Sequence, residues 1–178
     1  MYTVGDNVVC PHHGAGKITK IEQKEVLGQL RDYLTIQILH SRMTVMVPVE
    51  NAERTGLRKV VAADVVDEVL EVLRGDPTKM PERWSHRYKH NLGKLKTGDI
   101  FEVAEVIRNL AVRNAGKDLS TGEKQMLTKA KKILASELMY ARDLSEDEAA
   151  VFLEDVLGSL DADQPETPGL TRALEPIA

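Results

Sequence analysis

The sequence predicts an α+β protein of two domains, a small, strongly bent antiparallel sheet or barrel followed by a compact domain of five helices. Three observations carry this. Before about residue 50 apolar residues recur at every second position, and after about residue 60 at every third or fourth. The first stretch is rich in Val, Ile and Thr, which suit a pleated surface, and is broken by turn-forming residues. The second contains repeated helix-start signals. The expected boundaries are 1–55 for the β domain, 60–158 for the helical domain and 159–178 for an acidic, proline-containing flexible tail.

Strands are expected at Tyr2–Cys10, Gly16–Val26, Arg31–Leu39 and Met43–Val49. Gly5-Asp6, Pro11–Gly14, Leu27–Gln29 and His40–Arg42 punctuate them, with Gly14-Ala-Gly16 read as a turn between strands. Ile18, Ile21, Leu34, Ile36, Ile38, Met43, Val45 and Val47 sit between polar neighbours as the inward-facing set. So small a unit has little core and leaves an edge strand open, which suits docking on a partner.

The first helix is expected from about Val61 to Arg74, stopped by Gly75, and the second from about Pro81 to Leu95. Gly98-Asp99 opens the third, with Asp99 and Glu102 spaced like a capping box. Ser120-Thr-Gly-Glu123 opens the fourth, and Ser145-Glu-Asp-Glu148 the fifth, which is expected to end at Gly158.

Composition excludes several functions. A single cysteine, Cys10, permits no internal disulfide and no cysteine-based zinc site, and suits a reducing cytoplasm. There is no secretory leader pattern and no apolar run long enough to span a membrane, so a cytoplasmic protein is expected. No phosphate-binding glycine loop is present. His12-His13 reads as a polar turn and Cys10 as a small buried hydrophobe, so a hydrolase built on them is disfavoured. No enzyme, cofactor, metal site or small-molecule substrate is expected.

Charge is unevenly spread. The net charge is −4, yet residues 143–178 carry ten acidic side chains against Arg172 alone. Within Lys79–Lys96 six Lys or Arg stand against Glu82. The only tryptophan, Trp84, lies inside that cluster beside Arg83, His86, Arg87, Lys89 and His90. An indole among cations near a helix start suits a nucleic acid, with cations on phosphates and the ring on bases. Lys124 and Lys129 of the fourth helix add phosphate contacts if that helix packs alongside. The alternative is that Trp84 plugs a groove between helices and the protein is an interaction adaptor without DNA contact. Two or three phosphate contacts give weak, sequence-blind binding. Unstacking a base step costs a few kcal/mol, so such a ring needs DNA that is already distorted and a tether that holds it there.

Val4-Gly-Asp-Asn-Val-Val-Cys-Pro-His-His-Gly-Ala-Gly16, Val47-Pro-Val-Glu-Asn51 and Gly56-Leu-Arg58 resemble the CarD/CdnL family of bacterial RNA polymerase-binding transcription regulators. So do Trp84-Ser-His-Arg-Tyr-Lys89, Glu102–Leu110 and Leu119–Leu127, and the likeness runs over roughly residues 2–158. The resemblance implies a Tudor-like N-terminal domain that grips the β subunit of RNA polymerase holoenzyme, here through Lys24, Met46 and Pro48. It also implies a helical domain that meets promoter DNA at the upstream edge of the melted region. There Trp84 matches a minor-groove wedge that stabilises the open complex, and Lys89 and Lys124 match basic positions near DNA. His86 falls where a close relative would carry arginine, and Met46 where some members carry arginine. Cys10 replaces the usual aromatic beside the Pro-x-x-Gly turn. The protein would then be associated with the nucleoid through the polymerase.

Overall fold

The structure is a computed structural model that describes the backbone of residues 1–162 and the side chains of residues 1–159. The chain forms β1 (Asn7–Cys10), β2 (Gly14–Val26), β3 (Gln29–Ile38), β4 (Thr44–Pro48) and β5 (Arg58–Lys59), with a 3-10 turn at Val49–Asn51. Five helices follow: α1 (Ala63–Arg74), α2 (Trp84–Thr97), α3 (Ile100–Gly116), α4 (Thr121–Arg142) and α5 (Glu146–Ala162). The α+β layout expected from the two periodicities is what the chain adopts.

The five strands form one antiparallel sheet in the order β4-β3-β2-β1-β5. Leu27 and Gly28, both at positive φ (53° and 76°), close the long β2–β3 hairpin. This backbone twist matches that of the flanking strands. Val8, Cys10, Ile18, Leu34, Ile36, Ile38 and Val47 build the core, with Ala52 and Leu57 from the connection to β5.

Four expectations for this unit need correction. Gly14-Ala-Gly16 is not a turn but the start of β2, paired with β1. The turn itself is Pro11–His13, where His12 takes φ 68°. Ile21 is 41% exposed although the bulge between Ile18 and Lys20 pairs it with buried Leu34 on the core face, because the hairpin there runs out beyond the core. Met43 is also exposed, since it precedes β4. The β unit runs past residue 55, because Arg58 and Lys59 pair with Val9 and Val8. A two-residue strand has no periodicity to detect.

The helices enclose a separate aliphatic core drawn from Val66, Val69, Leu73, Ile107, Leu110, Leu134, Leu138 and their neighbours. Ser120 and Glu123 form a full capping box on α4. Ser145 and Glu148 exchange the same pair of bonds at the start of α5 (3.1 and 2.8 Å). The expected third box does not form: Asp99 caps α3 by accepting from the Phe101 N–H at 2.7 Å, one residue short of Glu102. Helix α5 passes Gly158, which tolerates helix, and continues to Ala162. Residues 159–162 are therefore helical rather than tail, and the rest of the expected tail lies outside the described residues.

Polar bonds link the two units. Arg58 of β5 donates both Nη atoms to Glu137 of α4 (2.6 and 2.7 Å) and its Nε to the Gly98 carbonyl (2.7 Å). Glu137 also accepts the Val61 N–H at 3.0 Å. The Ala15 N–H donates to Ser136 Oγ at 2.8 Å. Gly14, at φ +91°, lies so close to α4 that a Cβ would sit 2.8 Å from Ser136 Oγ. His40, before β4, approaches the Lys132 carbonyl (2.8 Å) and Glu146 (3.2 Å).

Candidate nucleic-acid interface

Helix α2 has a narrow apolar face, with Leu95 buried and Tyr88 and Leu92 packed partly buried against the helical core. Its buried residues are Arg87, Asn91 and Leu95, four apart along one stripe. The opposite stripe, His86, Lys89, His90, Gly93 and Lys96, faces solvent. Pro81, expected in the first turn, precedes the helix, which starts at Trp84 with Arg83 in extended conformation as its cap. Trp84 is therefore the first helical residue, and it is 63% exposed. It does not plug an interhelical groove.

Arg87 does not lie on the exposed face. It was expected on the DNA face but is only 3% exposed, because Glu123, fully buried, draws it inward. Its Nε and Nη2 donate to the two carboxylate oxygens (2.5 and 3.2 Å). Nη1 donates to the Glu82 carbonyl (2.7 Å) and the Pro81 carbonyl (3.2 Å). Glu123 also accepts the Ser120 N–H and hydroxyl (3.0 and 2.8 Å). Burial pushes the Glu123 carboxyl up, but the bonds from Arg87 and Ser120 outweigh it and hold the group below its ordinary value. Arg87 is thus an internal cation with its donors occupied, unable to reach a phosphate.

The remaining expected DNA-side residues are exposed: Arg83, His86, Lys89 and His90 on or beside α2, Lys124 and Lys129 on α4. The first turn of α4 abuts α2, since a Cβ on Gly122 would meet the Tyr88 ring at 3.4 Å. Lys124 therefore shares the Trp84 end of the domain. Among the described residues Arg83, Lys89, Lys96, Lys124, Lys129 and Lys132 form no ion pair. Lys131 and Lys94 do, with Glu154 (2.9 Å) and Glu105 (2.7 Å).

Lys96, counted in the basic cluster but not assigned to the DNA side, and Lys132 are also exposed on this face. Lys96 could have been found as the next exposed step after His86, Lys89 and Gly93. Lys132 continues a shallow trough along α4 with Thr121, Lys124, Gln125, Thr128 and Lys129. The cationic face also approaches the Pro11–His13 turn. Partial burial, then the nearby charges of Lys129, His13 and Lys96, lower the His12 pKa, so His12 adds little charge at neutral pH.

On the β unit, Lys24 and Met46 meet although they lie on different strands: Lys24 Nζ is 3.5 Å from Met46 Sδ. Lys24 also pairs with Glu22 at 3.1 Å. Met46 and Pro48 belong to β4, which ends the sheet and has an unpaired edge. Cys10 is 4% exposed, and burial pushes its thiol up to about 11, as suits a packing residue. Among the described residues no group of three or more His, Cys, Asp or Glu side chains could hold a metal ion. No described helix is long and apolar enough to cross a membrane.

A β unit with a free edge, locked to a helical unit bearing an outward indole among unpaired cations, defines a two-module protein with a surface suited to polyanions. Comparison with known proteins gives its class. Residues 2–61 match the CarD-like/TRCF RID domain and residues 68–154 the CarD C-terminal domain. YdeB of Bacillus subtilis (strain 168), named as a candidate transcription factor, is 36% identical over 152 residues, covering 85% of this chain and 99% of YdeB. The solution NMR structure of the 72-residue N-terminal domain of Myxococcus xanthus CarD is 36% identical and covers 33% of this chain and 79% of that one, with a TM-score of 0.30. The chain belongs to the CarD/CdnL family of transcription regulators.

Proposed function

We propose that the protein binds the β subunit of RNA polymerase through its sheet and stabilises the open promoter complex by wedging Trp84 into the minor groove at the upstream edge of the melted DNA. The exposure of Trp84 at the start of α2 carries this reading. A large ring held in water at the tip of a domain gains free energy when it meets unstacked bases. The flanking cations Arg83, Lys89 and Lys124 bring phosphates to it.

On intact duplex the cost of unstacking, a few kcal/mol per step, exceeds what one ring and a few exposed cations recover. At the boundary of a bubble that cost is already met, and the ring hinders re-annealing. Specificity then comes from the polymerase and not from base reading. The open edge of β4, with Lys24, Met46 and Pro48, supplies the docking surface, since an unpaired strand accepts another strand and Lys24 adds a charge contact. The polar interface around Arg58 and Glu137 turns docking at one end into placement at the other.

Trp84→Ala is expected to shorten the lifetime of the open complex while leaving association with polymerase intact. The lifetime is read by challenging preformed complexes with a competitor. An unchanged lifetime would remove the wedge.

A further inference from the structure

We infer that Arg87 and Glu123 are positioning residues for Trp84: a buried guanidinium–carboxylate pair that fixes the backbone on which the indole is carried. The inference rests on the reading of Trp84 given above, and asks what holds an exposed ring in one place at the frayed end of a helix.

The first turn of a helix is its weakest part, because its N–H groups lack intrahelical acceptors and its side chains have few neighbours. Trp84 is the first residue of α2, and Arg83 offers no side-chain cap. Nothing local to the sequence steadies this point. The steadying comes from below. Arg87, one turn on, points back toward the helix start. Its Nη1 takes the carbonyls of Pro81 and Glu82, the residues that enter the helix. Its backbone N–H donates to the Arg83 carbonyl at 2.9 Å. The chain is thus held on the N-terminal side of the tryptophan by the guanidinium and across it by the first helical hydrogen bond.

The guanidinium is in turn immobile. Glu123 takes its other two donors and is itself anchored by Ser120 at the start of α4. One carboxylate therefore caps α4 and fixes the α2 entry. The segment leading to α2 is pinned further back as well: the Thr78 N–H donates to Asn109 Oδ1 at 3.0 Å, and Met80 Sδ accepts from Asn91 Nδ2 at 3.4 Å. Lysine could not replace Arg87, since a single ammonium cannot span a carboxylate on one side and two carbonyls on the other.

The test uses the full-length protein. Trp84 is the only tryptophan, so its emission reports this site alone. Arg87→Lys is expected to lower the emission anisotropy of Trp84 with far-ultraviolet dichroism unchanged. It should also weaken binding to a forked promoter DNA in the presence of RNA polymerase holoenzyme on the order of threefold to tenfold, the scale of reordering one side chain on binding. Combined with Trp84→Ala it should cause no further loss, because it acts only through the indole. If Arg87→Lys fails to fold, the pair Arg87→Met with Glu123→Gln removes both charges, keeps an acceptor for Ser120, and is expected to give the same result. In the unaltered protein the Arg87 amide should exchange with solvent about as slowly as mid-helix amides of α2.

Unchanged anisotropy, fast exchange at Arg87, or losses that multiply in the double variant would each overturn the positioning role while leaving the wedge intact. If Trp84→Ala alone has no effect on forked DNA, the wedge reading fails instead. The anisotropy and exchange results would then still decide whether the pair holds the residue.

Discussion

Residues of one chemical type do opposite jobs here, and position in the fold decides which. Arg83 and Arg87 are four apart; the first is exposed at a helix cap, and the second is drawn under the helix by Glu123. The spacing marked the cluster as basic, but the acid that claims Arg87 lies 36 positions away in the chain and could not be paired with it by inspection. The same is true of Lys24 and Met46, which only the folding of β2 against β3 and β4 brings together. Lys24 is solvent-exposed and its partner Glu22 is equally so. Such a pair contributes less than about 1 kcal/mol to stability. Lys24→Glu is therefore expected to leave the unfolding midpoint nearly unchanged and to weaken association with RNA polymerase. Equal affinity in a pull-down or interferometry titration would place the contact elsewhere on the sheet.

Elements were most legible where a local rule defines them. Ser120/Glu123 and Ser145/Glu148 marked the starts of α4 and α5 from the sequence alone, because a capping box needs only residues three apart. The start of α2 was placed three residues early, since Pro81 suits a first turn but its carbonyl is taken by Arg87. The capping carboxylates also set an acid limit. Glu123 is held low against burial by Arg87 and Ser120, and Glu148 by the Ser145 N–H and hydroxyl. A folded-state pKa below the unfolded one stabilises fully above the ordinary carboxylate value of about 4.3, and the contribution is lost as pH falls through the folded value. The helical unit should therefore lose stability as pH drops below about 4. Glu123→Gln should flatten the dependence of unfolding free energy on pH in that window, as followed by dichroism in urea. Identical slopes for the two proteins would show that the carboxylate is not the group that titrates.

At the scale of the whole molecule the two-part plan was readable, and the joint between the parts was not. The change of period from two to about 3.6 separates sheet from helices, but it says nothing about how they meet. The joint depends on Arg58 in a strand too short to predict, and on Ser136 and Glu137, polar residues in a helix whose apolar stripe otherwise explains it. Arg58 is partly exposed, but Glu137 is buried, so removing the arginine strands a buried charge. Arg58→Ala is expected to lower unfolding free energy by about 3–5 kcal/mol. Lys59→Ala, which loses only the exposed contact with Asp6 at 3.2 Å, should cost less than about 1 kcal/mol. Equal midpoints in chemical denaturation would mean that the joint does not hold the molecule together.

That joint bears on how the molecule can be taken apart. A helical fragment cut after Lys59 would keep the carboxylate of Glu137 without the guanidinium that neutralises it, and a sheet fragment would keep Arg58 with nothing to grip. Each half in isolation would be a different object from the half in the intact chain. Grafting the helical module onto another anchor would require carrying the arginine along.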